Sequence, residues 1–207
     1  MFPEWIIWPE SRRRGLLERF GMRIGLDIDH EYMCGNVEMH HRVTASIDRL
    51  PFAERRFDLV TANMVMEHIS EPVAALRGIR RILRPGGRFV FHTPNVLYPT
   101  MFASHLADSL LPQSLKSALV SRLESRDERD VFPTFYRCNS PVRIRRLSQS
   151  AGLTLEELHL VESVPSTMRT FPGLAAGELC FMWLMRKLGL SYARSNLIAV
   201  LRHPDVR

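Results

Sequence analysis

Cysteine and lysine are both scarce in this chain of 207 residues, which carries a formal net charge of +6. Its three cysteines, Cys34, Cys138 and Cys180, stand far apart. An odd number at such spacing excludes the disulfide framework of a small secreted domain and predicts a reducing compartment. No apolar run reaches the roughly 18 residues that a membrane-spanning helix needs. The sequence therefore predicts a cytoplasmic protein without a membrane span.

Lysine is limited to Lys116 and Lys187, so arginine supplies almost all of the positive charge. The arginines are spread along the chain, and neither a DNA-binding spacing nor an aromatic–basic ladder is present. We therefore do not expect nucleic acid as a partner. Hydrophobic residues make up 45% and charged residues 24% of the chain, which indicates a single globular domain over residues 1–207.

A metal site is not indicated either. His30 and Cys34 are followed by His40 and His41, which raises the question of a zinc site. Structural zinc sites use paired ligands such as Cys-x-x-Cys or His-x-x-x-His, and this stretch contains no such pair. We therefore expect no bound metal.

Strand-like and helix-like segments alternate, which is typical of an α/β fold with a mainly parallel sheet. The predicted strands are residues 22–28, 42–46, 57–62, 88–93, 153–162 and 196–202. The predicted helices run from Pro72 to a stop at Pro85-Gly86-Gly87, from Ser140-Pro141 to about Ala151, and over residues 173–188. Residues 96–138 are less regular and predict a helical insertion that caps one end of the sheet.

The last of these helices lies in an apolar window, residues 173–190, which contains Glu178, Arg186 and Lys187. Two interpretations stay open. The helix packs partly buried on the sheet, which we favour, or it lies on a membrane surface and makes the protein a peripheral membrane binder.

The strongest pattern is a series of short motifs in a fixed order between Gly25 and Asn95. They are Gly25-Leu26-Asp27-Ile28-Asp29, Leu50-Pro51-Phe52, Phe57-Asp58-Leu59-Val60, Glu67-His68-Ile69, Leu83-Arg84-Pro85-Gly86-Gly87-Arg88-Phe89-Val90 and Thr93-Pro94-Asn95. In this order and spacing the segment resembles the class I S-adenosylmethionine-dependent methyltransferases. The branch it resembles most includes small-molecule and quinone-biosynthesis enzymes, and the resemblance is close over residues 23–95.

The resemblance implies a Rossmann-like sheet, S-adenosylmethionine as cofactor, and methyl transfer to a small or lipid-linked acceptor. Ligands of open α/β sheets bind beyond the carboxyl ends of the strands. Asp27 stands at such an end, where a carboxylate can accept hydrogen bonds from both hydroxyls of a ribose. By resemblance, Asp27 and the neighbouring Ile28 bind the cofactor.

The stretch Ser46, Ile47 and Asp48 precedes Leu50 and, by resemblance, lies along the adenine ring. The family usually places an acid four residues before Leu50, where this chain has Ser46, and Asp48 is shifted by two. Which side chain meets the exocyclic amine therefore stays open. A turn satisfied by its own Ser and Asp side chains is the alternative.

Asn63 and Met64 follow the predicted strand 57–62 and, by resemblance, line the cofactor. Glu67 and His68 come next and, by the same resemblance, face the substrate. His68 is the candidate general base if the acceptor is a hydroxyl, although methyl transfer depends heavily on positioning and does not always need a base. A capped helix start with a structural histidine is the alternative.

Further candidates for contact with the acceptor lie later in the chain. Residues 92–95 end the predicted strand 88–93 at the same edge of the sheet, and we assign Asn95 to the substrate. Tyr136 and Arg137 combine an aromatic ring with a guanidinium, which suits a polar or anionic acceptor. Packing within the insertion is the alternative for this pair.

One feature of the family is absent, namely the glycine-rich loop after the first strand, where only glycine lets the backbone approach the cofactor. The ribose-binding acid follows that loop by about 20 residues, and counting back from Asp27 leads to Ile7, where no glycine stands. We therefore expect the sheet to lack its first strand. Segments 22–28 and 57–62 would then flank a gap or pair directly.

Three explanations stay open for this difference: a start further upstream, a truncated remnant, or a variant that binds another ligand. The alternative to a working methyltransferase is a catalytically inactive methyltransferase-like binding module.

Overall fold

The computed structural model describes residues 21–30, 39–98, 101, 133–162, 172–190 and 194–205. Two compact units divide the chain, residues 1–51 and residues 52–207, and each is considered by itself. Most of the predicted insertion, residues 102–132, lies outside the described residues, as do residues 1–20, where the missing loop and strand were sought.

The first unit contains a two-stranded parallel sheet. Strand β1 (Ile24–Asp27) pairs with β2 (His41–Thr44) so that Asp27 lies opposite Thr44. A 3-10 turn follows at Ile47–Arg49. Both predicted strands are therefore confirmed, each shorter than predicted.

The second unit contains a four-stranded sheet of order β3-β4-β6-β5. Strand β3 (Phe57–Asn63) runs parallel to β4 (Leu83–Pro94), while β6 (Asn196–Arg202) runs antiparallel to β4 and to β5 (Thr154–Val161). In this sheet β3, β4 and β5 run in the same direction and β6 alone is reversed, so the expectation of a mainly parallel sheet is confirmed. Strand β6 is reversed because the chain that leaves β5 re-enters the sheet from the same edge. Among the described residues β1 and β3 belong to different sheets, so they do not pair directly.

Two helices cover one face of the four-stranded sheet. They are α1 (Pro72–Ile82) and α2 (Pro141–Ser150). Alternate residues of the central strands point towards this layer and are fully buried, among them Phe89, Phe91 and Leu201. The rings of Phe89 and Phe91 stack with their centroids 5.2 Å apart. The main core thus lies between the helices and this face of the sheet.

The helix ends follow the signals that the sequence offers. Pro72 begins α1 at its first turn, and the Ser140 hydroxyl caps α2 by accepting a hydrogen bond from the Arg143 amide at 3.4 Å. Gly152 follows α2 with a φ of 74°. A third helix, α3 (Pro172–Lys187), confirms the predicted helix near residues 173–188. No helix of the described part of the chain is long and apolar enough to cross a membrane.

The connection between α1 and β4 differs from the prediction. The helix ends at Ile82, before the Pro85-Gly86-Gly87 stop, and the chain is already extended from Leu83 onward. Gly86 adopts a φ of 79°, and a Cβ atom on Gly87 would lie 2.8 Å from the Arg84 carbonyl oxygen and 3.2 Å from that of Phe57. The glycines therefore let the start of β4 pass close to β3; they do not end the helix.

Candidate functional site

In the first unit, the predicted ribose and adenine residues lie at the same end of the two-stranded sheet. The carboxylate of Asp27 accepts a hydrogen bond from the Asp29 amide at 3.0 Å through Oδ1, which closes a turn directly after β1. The Asp27 carbonyl accepts a hydrogen bond from the Ala45 amide at 2.9 Å, so the strand end is tied to the residue before Ser46. Ile28 is largely exposed.

Ser46 and Asp48 contact each other. The Ser46 hydroxyl accepts a hydrogen bond from the Asp48 amide at 3.2 Å and donates one to the Asp48 carboxylate at 3.3 Å. Ile47 lies between them at the start of the 3-10 turn and is half-buried. The serine and the shifted acid are therefore parts of one turn. Whether Ser46 or Asp48 meets the exocyclic amine of the adenine, the side chain in this turn offers a polar oxygen.

The histidines that raised the zinc question have other partners. His30 Nδ1 lies 3.1 Å from the Thr44 hydroxyl, and His40 Nδ1 accepts a hydrogen bond from the Arg23 amide at 3.1 Å. Cys34 lies outside the described residues. Within the ranges that are described, no group of three or more His, Cys, Asp and Glu side chains could hold a metal ion.

In the second unit, Asn63 and Met64 lie at the carboxyl end of β3, beside the end of β4. The Asn63 side-chain oxygen lies 2.7 Å from His92 Nδ1, and the Met64 amide donates to the His92 carbonyl at 2.9 Å. Met64 has a φ of 53°, a strained conformation for a residue other than glycine. Such strain concentrates at functional sites because the surrounding structure must impose it.

Glu67 belongs to a chain of buried polar side chains. Its Oε2 accepts a hydrogen bond from the Thr93 hydroxyl at 3.1 Å, and Thr93 Oγ1 accepts one from the Asn139 amide at 2.6 Å. Glu67 is only 3% exposed, and Thr93 and Asn139 are fully buried. Burial raises the pKa of Glu67, while hydrogen bonds from its own backbone and from Thr93 oppose the shift. The Asn139 side-chain oxygen has no hydrogen-bond partner in the described structure.

The same turn fixes the segment that carries Tyr136 and Arg137. The Glu67 carbonyl accepts hydrogen bonds from the amides of Phe135 at 2.8 Å and Tyr136 at 3.1 Å. His68 Nδ1 lies 3.1 Å from the Pro133 carbonyl oxygen. Residues 133–136 are thus joined to both Glu67 and His68, so the predicted substrate residues of the two segments lie together.

Arg137 and Asn95 make mostly structural contacts. The Arg137 guanidinium donates to the Ser70 carbonyl at 2.7 Å and to the Glu71 carboxylate at 3.2 Å. Asn95 is fully buried; its amide donates to the Arg194 carbonyl at 2.8 Å and its oxygen accepts from the Leu97 amide at 3.1 Å. Both side chains therefore stabilise the carboxyl edge of the sheet in this structure.

Sequence reasoning missed two pairings at this edge, Asn63 with His92 and Glu67 with Thr93. The partners are 29 and 26 residues apart. Helical and strand periodicities carry no information over such distances. The available signal was positional, because each of these residues follows or ends a predicted strand.

Comparisons with known proteins agree with the predicted resemblance to methyltransferases. Residues 13–91 match the sequence profile of the family described as Methyltransferase domain. Demethylmenaquinone methyltransferase of Mycolicibacterium paratuberculosis is 40% identical to this chain over 73 residues. That match covers 33% of this chain and 32% of the enzyme, so the similarity extends over about a third of the relative's length.

Solved structures share the fold over a longer part of the chain. A chain from the complex between the Haloferax volcanii Trm112 methyltransferase activator and a methyltransferase has a TM-score of 0.56 at 19% identity; the match covers 96% of this chain and 79% of that one. An S-adenosylmethionine-dependent methyltransferase from Mesorhizobium loti has a TM-score of 0.52 at 16% identity and covers 92% and 85%. The profile match over residues 13–91 identifies a methyltransferase domain in that part of the chain, and the solved structures show that the chain shares the fold of S-adenosylmethionine-dependent methyltransferases.

Proposed function

We propose that this chain transfers the methyl group of S-adenosylmethionine to a small or lipid-linked acceptor in the cytoplasm. The observation that carries the proposal is the family match over residues 13–91, which includes Asp27, Asn63 and Glu67. The polar side chains at the carboxyl ends of β1 and β3 support it, because ligands of α/β sheets bind beyond these ends. Family membership alone does not fix the reaction, since one fold can host many chemistries.

The residues of the first unit suit the nucleoside part of the cofactor. The Asp27 carboxylate is held at the end of β1 by the Asp29 amide, which leaves a charged acceptor suited to paired hydroxyls. Ser46 and Asp48 offer acceptor oxygens for an exocyclic amine, and Ile28 and Ile47 offer apolar contact. Bound S-adenosylmethionine would supply an electrophilic methyl group, and this chain would bind and orient it.

The residues of the second unit suit the methionine part and the acceptor. Asn63 and Met64 end β3 and would contact the cofactor, while His68 and Tyr136 would face the acceptor. Glu67, Asn95 and Arg137 would support the acceptor side from the same edge, and the hydrogen bonds that hold these side chains in position support this assignment. His68, whose Nδ1 lies 3.1 Å from the Pro133 carbonyl oxygen, is the histidine that the family pattern offers as a candidate base.

Calorimetric titration with S-adenosylhomocysteine tests the proposal. We expect micromolar affinity for the wild-type chain and at least a tenfold loss in the Asp27→Ala variant, because the ribose loses its charged acceptor. Asp29→Ala is the matched control, since it removes a neighbouring carboxylate and should leave the affinity within about twofold. A wild-type chain that does not bind S-adenosylhomocysteine would contradict the proposed function.

The second candidate is a methyltransferase-like binding module that does not turn over. The absence of a glycine-rich loop before Asp27 favours it, because that loop normally lets the backbone approach the cofactor. The two functions differ in one measurement. A module would bind S-adenosylhomocysteine but transfer no radiolabelled methyl group to any acceptor in a quinol, phenol and amine panel.

A lipid-linked acceptor fits the apolar surface of α3. Its Phe181 ring packs edge-on against Tyr98 with centroids 6.4 Å apart, and Met182 and Met185 line a cleft with Glu162. Trp183 lies on another face of α3 and is 56% exposed. The Lys187 ammonium lies 5.6 Å from the Trp183 ring centroid. Aromatic and basic side chains on one exposed helix face suit an anionic lipid surface.

Sedimentation with lipid vesicles tests this peripheral contact. We expect binding to vesicles containing phosphatidylglycerol, weaker binding to pure phosphatidylcholine, and a decrease with added salt. Trp183→Ala should reduce the bound fraction, whereas Val142→Ala, which trims an exposed apolar residue of α2, should not. Equal binding of both variants and the wild type would contradict the assignment. A Trp183-dependent dimer in light scattering would assign the face to a second copy of the chain instead.

A further inference from the structure

His92 is a titratable side chain at the carboxyl edge that the proposed function leaves without a role. It lies near the end of β4, one residue before the buried Thr93. Since side chains alternate along a strand, His92 points to the sheet face opposite that of Phe91 and the two covering helices. The residue is half-buried.

The hydrogen bond to Asn63 fixes the protonation pattern of the ring. The Asn63 oxygen lies 2.7 Å from His92 Nδ1, and an amide oxygen can only accept. Nδ1 therefore carries the hydrogen, and Nε2 carries the lone pair. This is the tautomer that a histidine base needs, with one nitrogen anchored and the other able to take a proton.

The surroundings of His92 keep the ring neutral. Burial lowers the pKa of His92 below its ordinary value because the charged form loses hydration. Its cross-strand neighbours are Asn63 on β3 and Ile198 on β6, neither of which is charged. The nearest titratable residue in the same row is His159 on β5, beyond Ile198, and it pairs with Glu157 at 2.7 Å.

The position of His92 relates it to the acceptor. It lies beside Met64, whose strained backbone donates to the His92 carbonyl. Met64 follows the last residue of β3, and His92 lies two residues before the end of the parallel strand β4. An acceptor that binds beyond this edge meets the row formed by Asn63 and His92. His68, in contrast, projects from the turn that follows β3 and contacts the segment at Pro133.

We propose that His92 is the catalytic base that takes the proton of a hydroxyl or phenol acceptor, and that Asn63 is the residue that positions it. The inference rests on the proposed function. As the methyl–sulfur bond breaks and the bond from acceptor to methyl forms, the acceptor proton passes to His92 Nε2. The products are the methylated acceptor, S-adenosylhomocysteine and an imidazolium, which then releases its proton to water.

The ring itself can be examined without any activity. In nitrogen-15 NMR spectra of the whole chain, with His92 assigned through the His92→Gln variant, we expect hydrogen on Nδ1 and a midpoint below the unperturbed value of about 6.5. Asn63→Ala should mix the tautomers. A wild-type ring with hydrogen on Nε2, or a midpoint at or above that value, would overturn the proposal.

Methyl transfer supplies the second test, with a reduced naphthoquinone, a dihydroxynaphthalene, as the probe. His92→Gln should lower kcat by about 10²–10⁴-fold, with little change in KM, and remove the acidic limb of the pH profile. His159→Gln is the matched control and should retain wild-type rates. A larger loss of kcat in His68→Gln than in His92→Gln would return the role to His68.

The two hypotheses fail in different ways. Absence of S-adenosylhomocysteine binding by the wild type would overturn the proposed function, and with it the base. Binding with no methylation of hydroxyl probes, or methylation that survives His92→Gln, would overturn only the assignment of His92.

Discussion

The hydroxyl of Thr93, at the end of β4, donates a hydrogen bond of 3.1 Å to the carboxylate of Glu67, which lies in the turn after β3. Both residues are buried, and Asn139, ahead of α2, donates to the same hydroxyl at 2.6 Å. Three separate segments thus meet at a chain of hydrogen bonds. Because unpaired buried polar groups are costly, removal of any one partner affects the other two.

Two replacements of Glu67 separate the free-energy cost of burying its charge from the stabilisation that its hydrogen bond contributes. Glu67→Ala should lower the free energy of unfolding by about 1–3 kcal/mol, since the Thr93 hydroxyl loses its acceptor. Glu67→Gln keeps an acceptor and removes a buried charge. The folded-state pKa of Glu67 is raised, so the folded protein holds this proton more tightly and wild-type stability falls as the pH rises above about 4.5.

The gain of Glu67→Gln over wild type should therefore be larger at pH 7 than near pH 4.5. Urea unfolding at the two pH values measures this. Glu54→Gln, at an exposed position, is the control and should show no such trend. A pH-independent difference between Glu67→Gln and wild type would contradict the role given to charge burial.

The glycines near the start of β4 should respond to substitution according to their backbone geometry and the space around them. Gly87→Ala should destabilise the protein by about 1–3 kcal/mol, because its Cβ atom would lie 2.8 Å from the Arg84 carbonyl oxygen. Gly86→Ala should cost about 1–2 kcal/mol for a side chain at φ 79°. Gly177→Ala in α3 meets no atom within 4 Å and should be neutral or stabilising. Thermal denaturation that ranks Gly177→Ala with Gly87→Ala would refute this reading.

The cysteines should differ sharply in reactivity. Cys138 is buried, and burial raises its pKa to about 12, so its thiolate is absent at neutral pH. Cys180 is exposed on α3. Brief treatment with iodoacetamide followed by peptide mapping should label Cys180 and leave Cys138 unmodified until denaturant is added. Labelling of Cys138 in the native protein would contradict its described burial.

The Asn95 side chain should stabilise the protein by joining the end of β4 to the chain that enters β6 through a hydrogen bond. Asn95→Ala removes the bond to the Arg194 carbonyl and the acceptor of the Leu97 amide, and should cost about 1–3 kcal/mol. Asn95→Asp keeps the acceptor and loses only the donor, so its loss should be separable by urea unfolding. If the midpoint of urea unfolding is the same for Asn95→Ala and the wild type, the hydrogen bonds of the Asn95 side chain contribute nothing to stability.

The sequence predicts elements well where the signal is local. Proline at the first turn of α1 and the Ser140 cap of α2 mark helix starts within a few residues, and both are confirmed. The bounds of β6 are also predicted correctly, whereas the sequence does not predict its direction. Direction depends on where the chain from β5 returns to the sheet, and no local pattern encodes that path.

The sequence predicted the edge of the sheet at which the candidate site residues lie, but not the contacts that they make there. Asp27, Asn63 and Asn95 were placed at strand ends because strands and turns are readable from short windows. Their partners were not readable, because the bond between Asn95 and Arg194 spans 99 residues of chain. Partner choice at such separations is decided by the packing of whole elements.

The strand order has a consequence for synthesis. Strand β6 occupies an interior position of its sheet, between β4 and β5, yet it is the last of the described strands along the chain. While residues 196–202 remain inside the ribosome, β4 and β5 each present an open backbone edge with no strand to join them. The nascent protein thus carries edges able to pair with other chains, and deletion of residues 196–202 would divide the sheet rather than shorten it at one side.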